Sequence, residues 1–304
     1  MSKIISPIMR YKYVYLMMAP AFITVFIFSY VPLFGWVIAF KDYTAAKSIW
    51  KSRWIGLDNF KLFFSMTGDY VYTIKNTLVM NFGVLFATLF LSFVFAILLN
   101  ELRSRVFNNT IQITAMFPFF ISWGITYSLI YAFFAPVSGG VNQALVGAGI
   151  IEQGINVLGD EKYSWILIIL SSTWKTLGYN AILFVAAIAG IEREQFESAE
   201  IDGAGRFVKI WYILIPHLIP TVVVILILNS GHVFNSDLGQ LIMFTNSTNW
   251  STMEVLDMYI YKSGMQKGDF AYATAVGIIK TIISLAMVFA VNYICKKLSD
   301  KSIF

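Results

Sequence analysis

The side chains with the most to offer chemically stand together in Glu197-Ser198-Ala199-Glu200-Ile201-Asp202-Gly203-Ala204, followed after eight residues by Ile213-Leu214-Ile215-Pro216. The first string is too acidic and too rich in small residues to cross a membrane. Read as a helix, it sets Phe196, Glu200, Gly203, Phe207 and Ile210 on one face. Gly203, with Ala204 and Gly205 beside it, breaks that helix or admits another backbone at close range. On composition alone the segment is a solvated helix–turn–helix. Bond-making chemistry finds little support elsewhere in the chain. Gly-x4-Gly-Lys-Ser/Thr, Gly-x-Ser-x-Gly and His-Glu-x-x-His are all absent, so no phosphate loop for ATP and no hydrolase or zinc signature is present. His217 and His232 are isolated and read as structural or interfacial residues, and the one cysteine, Cys295, excludes a disulfide scaffold or a cysteine metal cluster. No metal and no cofactor are expected on this chain.

What must position the acidic string is a membrane scaffold. Of 304 residues, 58% are hydrophobic and 13% charged, about half the charge of a soluble domain. That balance excludes a soluble globule, a disordered chain and a nucleic-acid binder. Six stretches reach the roughly 20 apolar residues that a crossing helix needs: 13–40, 76–100, 111–134, 164–191, 213–234 and 270–295. They predict an all-α polytopic membrane protein with outer loops at 41–72, 135–163 and 235–269 and the acidic string in an inner loop, 192–212. The segments 1–12 and 296–304 are then cytoplasmic. No cleavage site follows the first stretch, which is expected to be a retained span. Pro20, Pro32, Pro118, Pro216 and Pro220 predict kinks. Basic residues favour inside termini, eleven on the inner segments against eight on the outer loops, and five of those eight crowd into 41–72. The aromatic content of that loop, with Trp50, Trp54, Phe60, Phe63 and Phe64, predicts a small folded cap with a short helix near Asn59–Met66.

The acidic string resembles the hallmark of permease subunits of binding-protein-dependent ABC importers: Glu-Ala-Ala, three residues and then Gly, nine or so more, then Ile-x-Leu-Pro. Here Ser198 replaces the first alanine and Ile215 the leucine. The resemblance extends along the chain. Tyr15-Leu16-Met17-Met18-Ala19-Pro20, Tyr30-Val31-Pro32-Leu33-Phe34-Gly35, Ala39-Phe40-Lys41-Asp42-Tyr43 and Trp54-Ile55-Gly56-Leu57-Asp58-Asn59-Phe60 look like the maltose-type first permeases of the lipoprotein- and oligo- or polysaccharide-associated branch. Asn76-Thr77-Leu78 and Gly140-Val141-Asn142 match the wider carbohydrate family. The resemblance implies the six-helix type I importer permease fold and a subunit that is not itself an enzyme. It implies partners as well: a second, homologous permease, two ATPase subunits carrying ATP and Mg, an extracellular solute-binding protein, and a sugar, with no nucleic acid. It places the chain in a bacterial cell membrane with both termini cytoplasmic. In that family the loop is a coupling helix docked in a groove of the ATPase. Carried over, small residues for close approach are Ser198, Ala199, Gly203 and Ala204, acids for pairing are Glu197 and Asp202, and Pro216 closes the motif. An ion-coupled secondary sugar carrier is the alternative, and it calls for acids within the spans or inverted repeats.

Sugars are held by aromatic faces and by amides and hydroxyls, which makes Asn81, Trp123, Tyr127, Trp174, Tyr179, Asn180, Asn229 and Ser230 candidates for lining a path. The competing expectation is interfacial anchoring for the aromatics and helix–helix bonding for the polar residues. Trp123 and Tyr127, four apart, share a helix face. Two lysines fall within spans. Lys175 has an interface near enough to snorkel toward. Lys280, about ten residues into its span, is expected at a functional position or in a buried pair.

Overall fold

The computed structural model describes residues 11–65 and 69–299. Most of the predicted terminal segments, with Lys3, Arg10 and Lys301, and residues 66–68 of the first outer loop lie outside the described residues. Among the described residues the secondary structure is helical, with one isolated antiparallel bridge between Lys41 and Trp54. The helices in chain order begin with α1 (Lys12–Phe40), α2 (Asp58–Ser65) and α3 (Asp69–Asn100). They continue with α4 (Arg105–Phe120), α5 (Trp123–Phe134), α6 (Gly140–Gly147), α7 (Glu161–Ala189), α8 (Arg193–Ile201) and α9 (Arg206–Ser230). The last are α10 (Leu238–Phe244), α11 (Trp250–Met253), α12 (Leu256–Tyr261) and α13 (Phe270–Ser299). Helices α1, α3, α7, α9 and α13 are long and apolar enough to cross a bilayer.

The chain forms two compact units. One comprises the residues up to Ser65 together with Ile260–Ile279. Here α1 passes from α-helix through a π-turn at Phe26–Tyr30 into a tight 3-10 segment at Val31–Phe40, with Pro32, which has no N–H for the ladder, at its start. Ala39, Ala275 and Ile278 are buried against Phe40 and Phe60. The Asn59 amide on α2 donates to the Ala39 carbonyl at 2.9 Å, and Trp54 stacks on Phe40 with centroids 5.6 Å apart. The predicted cap is thus built on aromatic stacking, and its short helix spans Asp58–Ser65.

The other unit runs from the second span to Tyr259 and resumes at Lys280. Its axis is the pair α3 and α7. Thr77, Asn81, Thr88 and Ser92 recur on one face of α3 at helical spacing. Thr88 Oγ1 donates to Thr173 Oγ1 at 3.3 Å and Ser92 Oγ to the Leu177 carbonyl at 3.0 Å. Small polar residues of this kind hold helices together where lipid removes the hydrophobic drive. Below them Ala96, Ile97, Phe184, Ile188, Leu214, Leu218 and Ile225 form a closed apolar cluster. On the opposite side of α7, Gly178 lets the backbone of α4 touch: a Cβ there would run into the Ala115 carbonyl.

The third predicted span, 111–134, turns sharply just beyond Pro118, where a kink is expected. It is two helices, α4 and α5, meeting at 105° across Ile121 and Ser122. Both linking residues are extended, and Ser122 Oγ caps α5 by accepting the Ile125 N–H at 3.4 Å. The break frees the last carbonyls of α4, which hydrocarbon cannot satisfy. Lys175 does so. Its buried ammonium donates to the carbonyls of Pro118 and Phe119 at 3.0 Å each, and to that of Ile121. A cation at a helix carboxyl terminus also meets the negative end of the macrodipole. Lys175 therefore turns inward to close a helix break instead of reaching for the interface. Mean hydropathy is blind to this, because a bent stretch has the composition of a straight one.

Lys175→Met removes a cation and leaves the Phe119 and Ile121 carbonyls to find partners, while that of Pro118 keeps the Ile121 N–H, and is expected to destabilise the purified protein by roughly 3 kcal/mol. A thermal midpoint in detergent equal to that of the parent would contradict the capping role. Gly178→Val, by pushing α4 off α7, is expected to abolish recovery of folded protein, measured as the monodisperse fraction on gel filtration.

Candidate functional site

Between α3, α7 and α9 lies a cleft of about 230 Å3. Its polar lining is Asn81 and Thr88 from α3, Thr176 and Asn180 from α7, Asn229 from α9, and His232 and Asn235 from the turn that follows. Among the described residues the lining contains no Asp, Glu, Lys or Arg, and Val84, Leu85, Leu89, Phe184 and Ile225 supply its apolar walls. Three of the predicted path residues, Asn81, Asn180 and Asn229, therefore converge. Asn180 and Asn229 each spend one amide hydrogen on the carbonyl four residues back, at 2.9 Å to Thr176 and to Ile225 respectively. Each keeps a second donor and an acceptor for a ligand. Such a surface offers paired donors and acceptors to hydroxyl groups.

The other predicted path residues are placed elsewhere. Trp123 donates its indole N–H to Asp237 at 2.6 Å, and Lys175 stands 5.3 Å from the ring centroid. Tyr127 packs edge-on to Phe244 with centroids 5.2 Å apart. Tyr179 stacks on Phe119 at 4.3 Å, and Trp174 lines an apolar pocket with Leu129, Phe133 and Leu170. Ser230 is buried and donates to the Ile227 carbonyl at 2.7 Å. Lys280 pairs with Asp257 on α12, a residue that sequence reading left in the loop 235–269. Thr88, Thr176 and Asn235 carry no expectation from sequence, and His232, read there as structural or interfacial, lines the cleft. The two threonines share helix faces with Asn81 and Asn180, which is a legible signal, whereas His232 and Asn235 reach the cleft through a turn that has no periodicity.

The acidic string forms α8 and then stops. Gly203 at φ +76° ends it, with the Ala204 N–H returning to the Ala199 carbonyl at 2.8 Å and the Asp202 N–H to that of Ser198 at 3.1 Å. This is the left-handed helix stop that glycine accommodates without a Cβ penalty. Phe196 and Ile210 pack onto the α3–α7–α9 cluster, while Ile201 and Phe207 are 87% and 83% exposed on either side of Gly203. Glu197, Ser198, Asp202 and Gly203 are exposed with them, and Pro216 is exposed on the first turn after the π-segment Ile210–Leu214. Arg193 pairs with Glu197 at 3.2 Å along α8, and Arg206 reaches Glu101 at 2.6 Å, tying the start of α9 to the end of α3. The Lys209 ammonium, hydrogen-bonded to Glu200 at 2.7 Å, holds that carboxyl below the usual carboxylate range. The two exposed apolar side chains flank Gly203 within the acidic segment, and sequence reading did not identify Ile201. Among the described residues no group of three or more His, Cys, Asp or Glu converges as metal ligands would.

Comparison with known proteins agrees with this geometry. Residues 88–300 match the family described as binding-protein-dependent transport system inner membrane component. Protein LplB of Bacillus subtilis (strain 168) is 38% identical over 97% of this chain and 92% of its own length. The polygalacturonan/rhamnogalacturonan transport system permease protein YteP of the same organism is 34% identical over 99% of this chain and 93% of its own. A crystal structure of a bacterial ABC transporter that imports the acidic polysaccharide alginate contains a chain that is 30% identical, with a TM-score of 0.88, covering 98% of this chain and 99% of that one. The match over 70% of the chain, joined to end-to-end similarity in sequence and fold, makes this protein a multi-pass member of the binding-protein-dependent transport system inner membrane components.

Proposed function

We propose that the chain is one of two permease subunits of an ATP-driven oligosaccharide importer in a bacterial cell membrane, with both termini cytoplasmic. The α3–α7–α9 cleft forms its half of an alternating-access path, and the segment around Gly203 docks on an ATPase subunit. The observation that carries this reading is the exposed Ile201–Gly203–Phe207 face. Such a face stays apolar and uncovered in one chain because another protein covers it, and the helix-in-groove mode suits its size. It is tied through Phe196, Ile210 and the Arg206–Glu101 pair to the same helices that line the cleft. Motion imposed there is thereby passed to the path.

The sugar assignment draws on the uncharged amide and hydroxyl lining and on the relatives, one named for polygalacturonan and rhamnogalacturonan and one solved with an alginate pentasaccharide-bound periplasmic protein. On this reading an extracellular solute-binding protein delivers the sugar from the side of the loops 41–72, 135–163 and 235–269. ATP and Mg belong to two partner ATPases, and hydrolysis resets the inward state. An ion-coupled carrier would leave the carboxyl end of a broken helix open for its cation. Here the Lys175 ammonium occupies that position, which favours the ATP-driven reading.

Copurification from the native membrane tests the assembly: the chain is expected to co-elute with an ATPase and a second permease, and isolation as a self-sufficient carrier would overturn the reading. A binding-protein panel of alginate, polygalacturonan and rhamnogalacturonan oligosaccharides, followed by sugar-stimulated ATP hydrolysis in proteoliposomes, identifies the substrate.

Gly203→Asp isolates the coupling role. A Cβ at 203 meets nothing within 4 Å, so the variant carries only the left-handed backbone cost, about 1 kcal/mol. It is expected to insert normally, to lose ATPase binding and to abolish coupled uptake, and uptake at the parent rate would remove Gly203 from the docking face.

A further inference from the structure

We infer that Asp257 is a positioning residue for Asn81, acting through Ser236, with Lys280 as its ion-pair partner. The inference rests on the reading of the α3–α7–α9 cleft as the sugar path, and it deepens that reading.

Asp257 and Lys280 form an ion pair whose side chains are 16% and 14% exposed. A lone carboxylate or ammonium at such a position is costly, and pairing offsets the loss of water. Lys280 occupies only one carboxylate oxygen. The other, Oδ2, accepts the backbone N–H of Ser236 at 2.6 Å. Ser236 lies between the turn after α9 and the start of α10, where its N–H has no helical carbonyl to meet. The carboxylate supplies that partner and fixes the backbone.

Held in this way, the Ser236 hydroxyl engages both ends of the Asn81 amide. Asn81 Nδ2 donates to Ser236 Oγ at 3.0 Å, and Ser236 Oγ donates to Asn81 Oδ1 at 3.3 Å. An asparagine amide offers two donors and two acceptor sites, of which the serine takes one each. One N–H and one acceptor site remain, at opposite ends of an amide whose plane is fixed, in a residue that lines the cleft. Each can meet one hydroxyl of a sugar. Without the serine the amide rotates freely and presents no preferred pairing. α3 anchors the far side of the relay too. Asn76 Nδ2 donates to the carbonyls of Ser251 at 2.7 Å and Glu254 at 3.1 Å, and the Leu256 N–H donates to Thr77 Oγ1 at 2.9 Å. The start of α12, where Asp257 sits, is therefore registered against the helix that carries Asn81.

The test uses the assembled importer in proteoliposomes with saturating binding protein, loaded with whichever oligosaccharide of the alginate, polygalacturonan and rhamnogalacturonan panel it retains. The readout is sugar moved per ATP hydrolysed. A purely structural role lowers the amount of complex and both activities in proportion, and leaves that ratio unmoved. Ser236→Ala, and Asp257→Leu combined with Lys280→Met, are each expected to lower the ratio about three- to tenfold, as loss of one oriented hydrogen bond would. Asp257→Asn combined with Lys280→Met keeps an oxygen for the Ser236 N–H and is expected to restore the parent ratio. If the leucine–methionine pair fails to insert, Ser236→Ala decides alone, since it leaves the ion pair intact. If Asn81→Ala lowers the ratio while Ser236→Ala does not, the positioning role is overturned and the sugar path stands. If Asn81→Ala leaves the ratio unchanged, the path reading falls and the positioning role with it.

Discussion

In hydrocarbon a backbone N–H or C=O has no water to turn to, so every interruption of a helix must be closed by the protein's own side chains. This protein interrupts its helices repeatedly, and polar side chains close several of the turns among the described residues, whereas at Gly203 the backbone closes the turn itself. Lys175 takes the carbonyls at the α4–α5 break. Asn142 gathers the carbonyls of Phe134, Ala135 and Ile155 where α5 gives way to the next turn. Asp237 caps α10 by accepting the Gly239 N–H, and Asp257 accepts that of Ser236. Asn249 ties the carbonyls of Leu158 and Phe244 together.

The same device sets the cleft. Because α3 is uninterrupted and α7 lies along it through Thr88, Thr173 and Ser92, the two present their amides, Asn81 and Asn180, toward the same space. α9 closes the third side with Asn229, and the turn beyond it brings His232 and Asn235. The buried polar groups therefore divide. Some hold helices to helices, and those left with spare donors and acceptors face the cleft.

At the other end of these helices the arrangement is reversed: apolar residues face outward and charges surround them. Ile201 and Phe207 are exposed beside a glycine in the left-handed conformation. Phe196, Ile210 and the Glu101–Arg206 pair join that segment to α3 and α9, so under the proposed docking a motion there has a direct mechanical route to the cleft.

The sequence by itself determined the solvent, the helical class, the apolar stretches and the family, because each is written in local composition or in a contiguous motif. Hydropathy over about 20 residues reports whether a stretch tolerates lipid, and Gly203 announces its turn through its own backbone freedom. It also brought Asn81, Asn180 and Asn229 to notice as polar residues out of place. Only the tertiary structure decided which of the polar and aromatic candidates face a common space, that the stretch 111–134 turns through 105°, that Lys175 is spent on closing that turn, and that Lys280 belongs to Asp257. Those outcomes depend on partners 23 to 57 residues distant along the chain. A side chain's role in a membrane is set by which unsatisfied group folding brings within hydrogen-bond reach, and no local pattern records that.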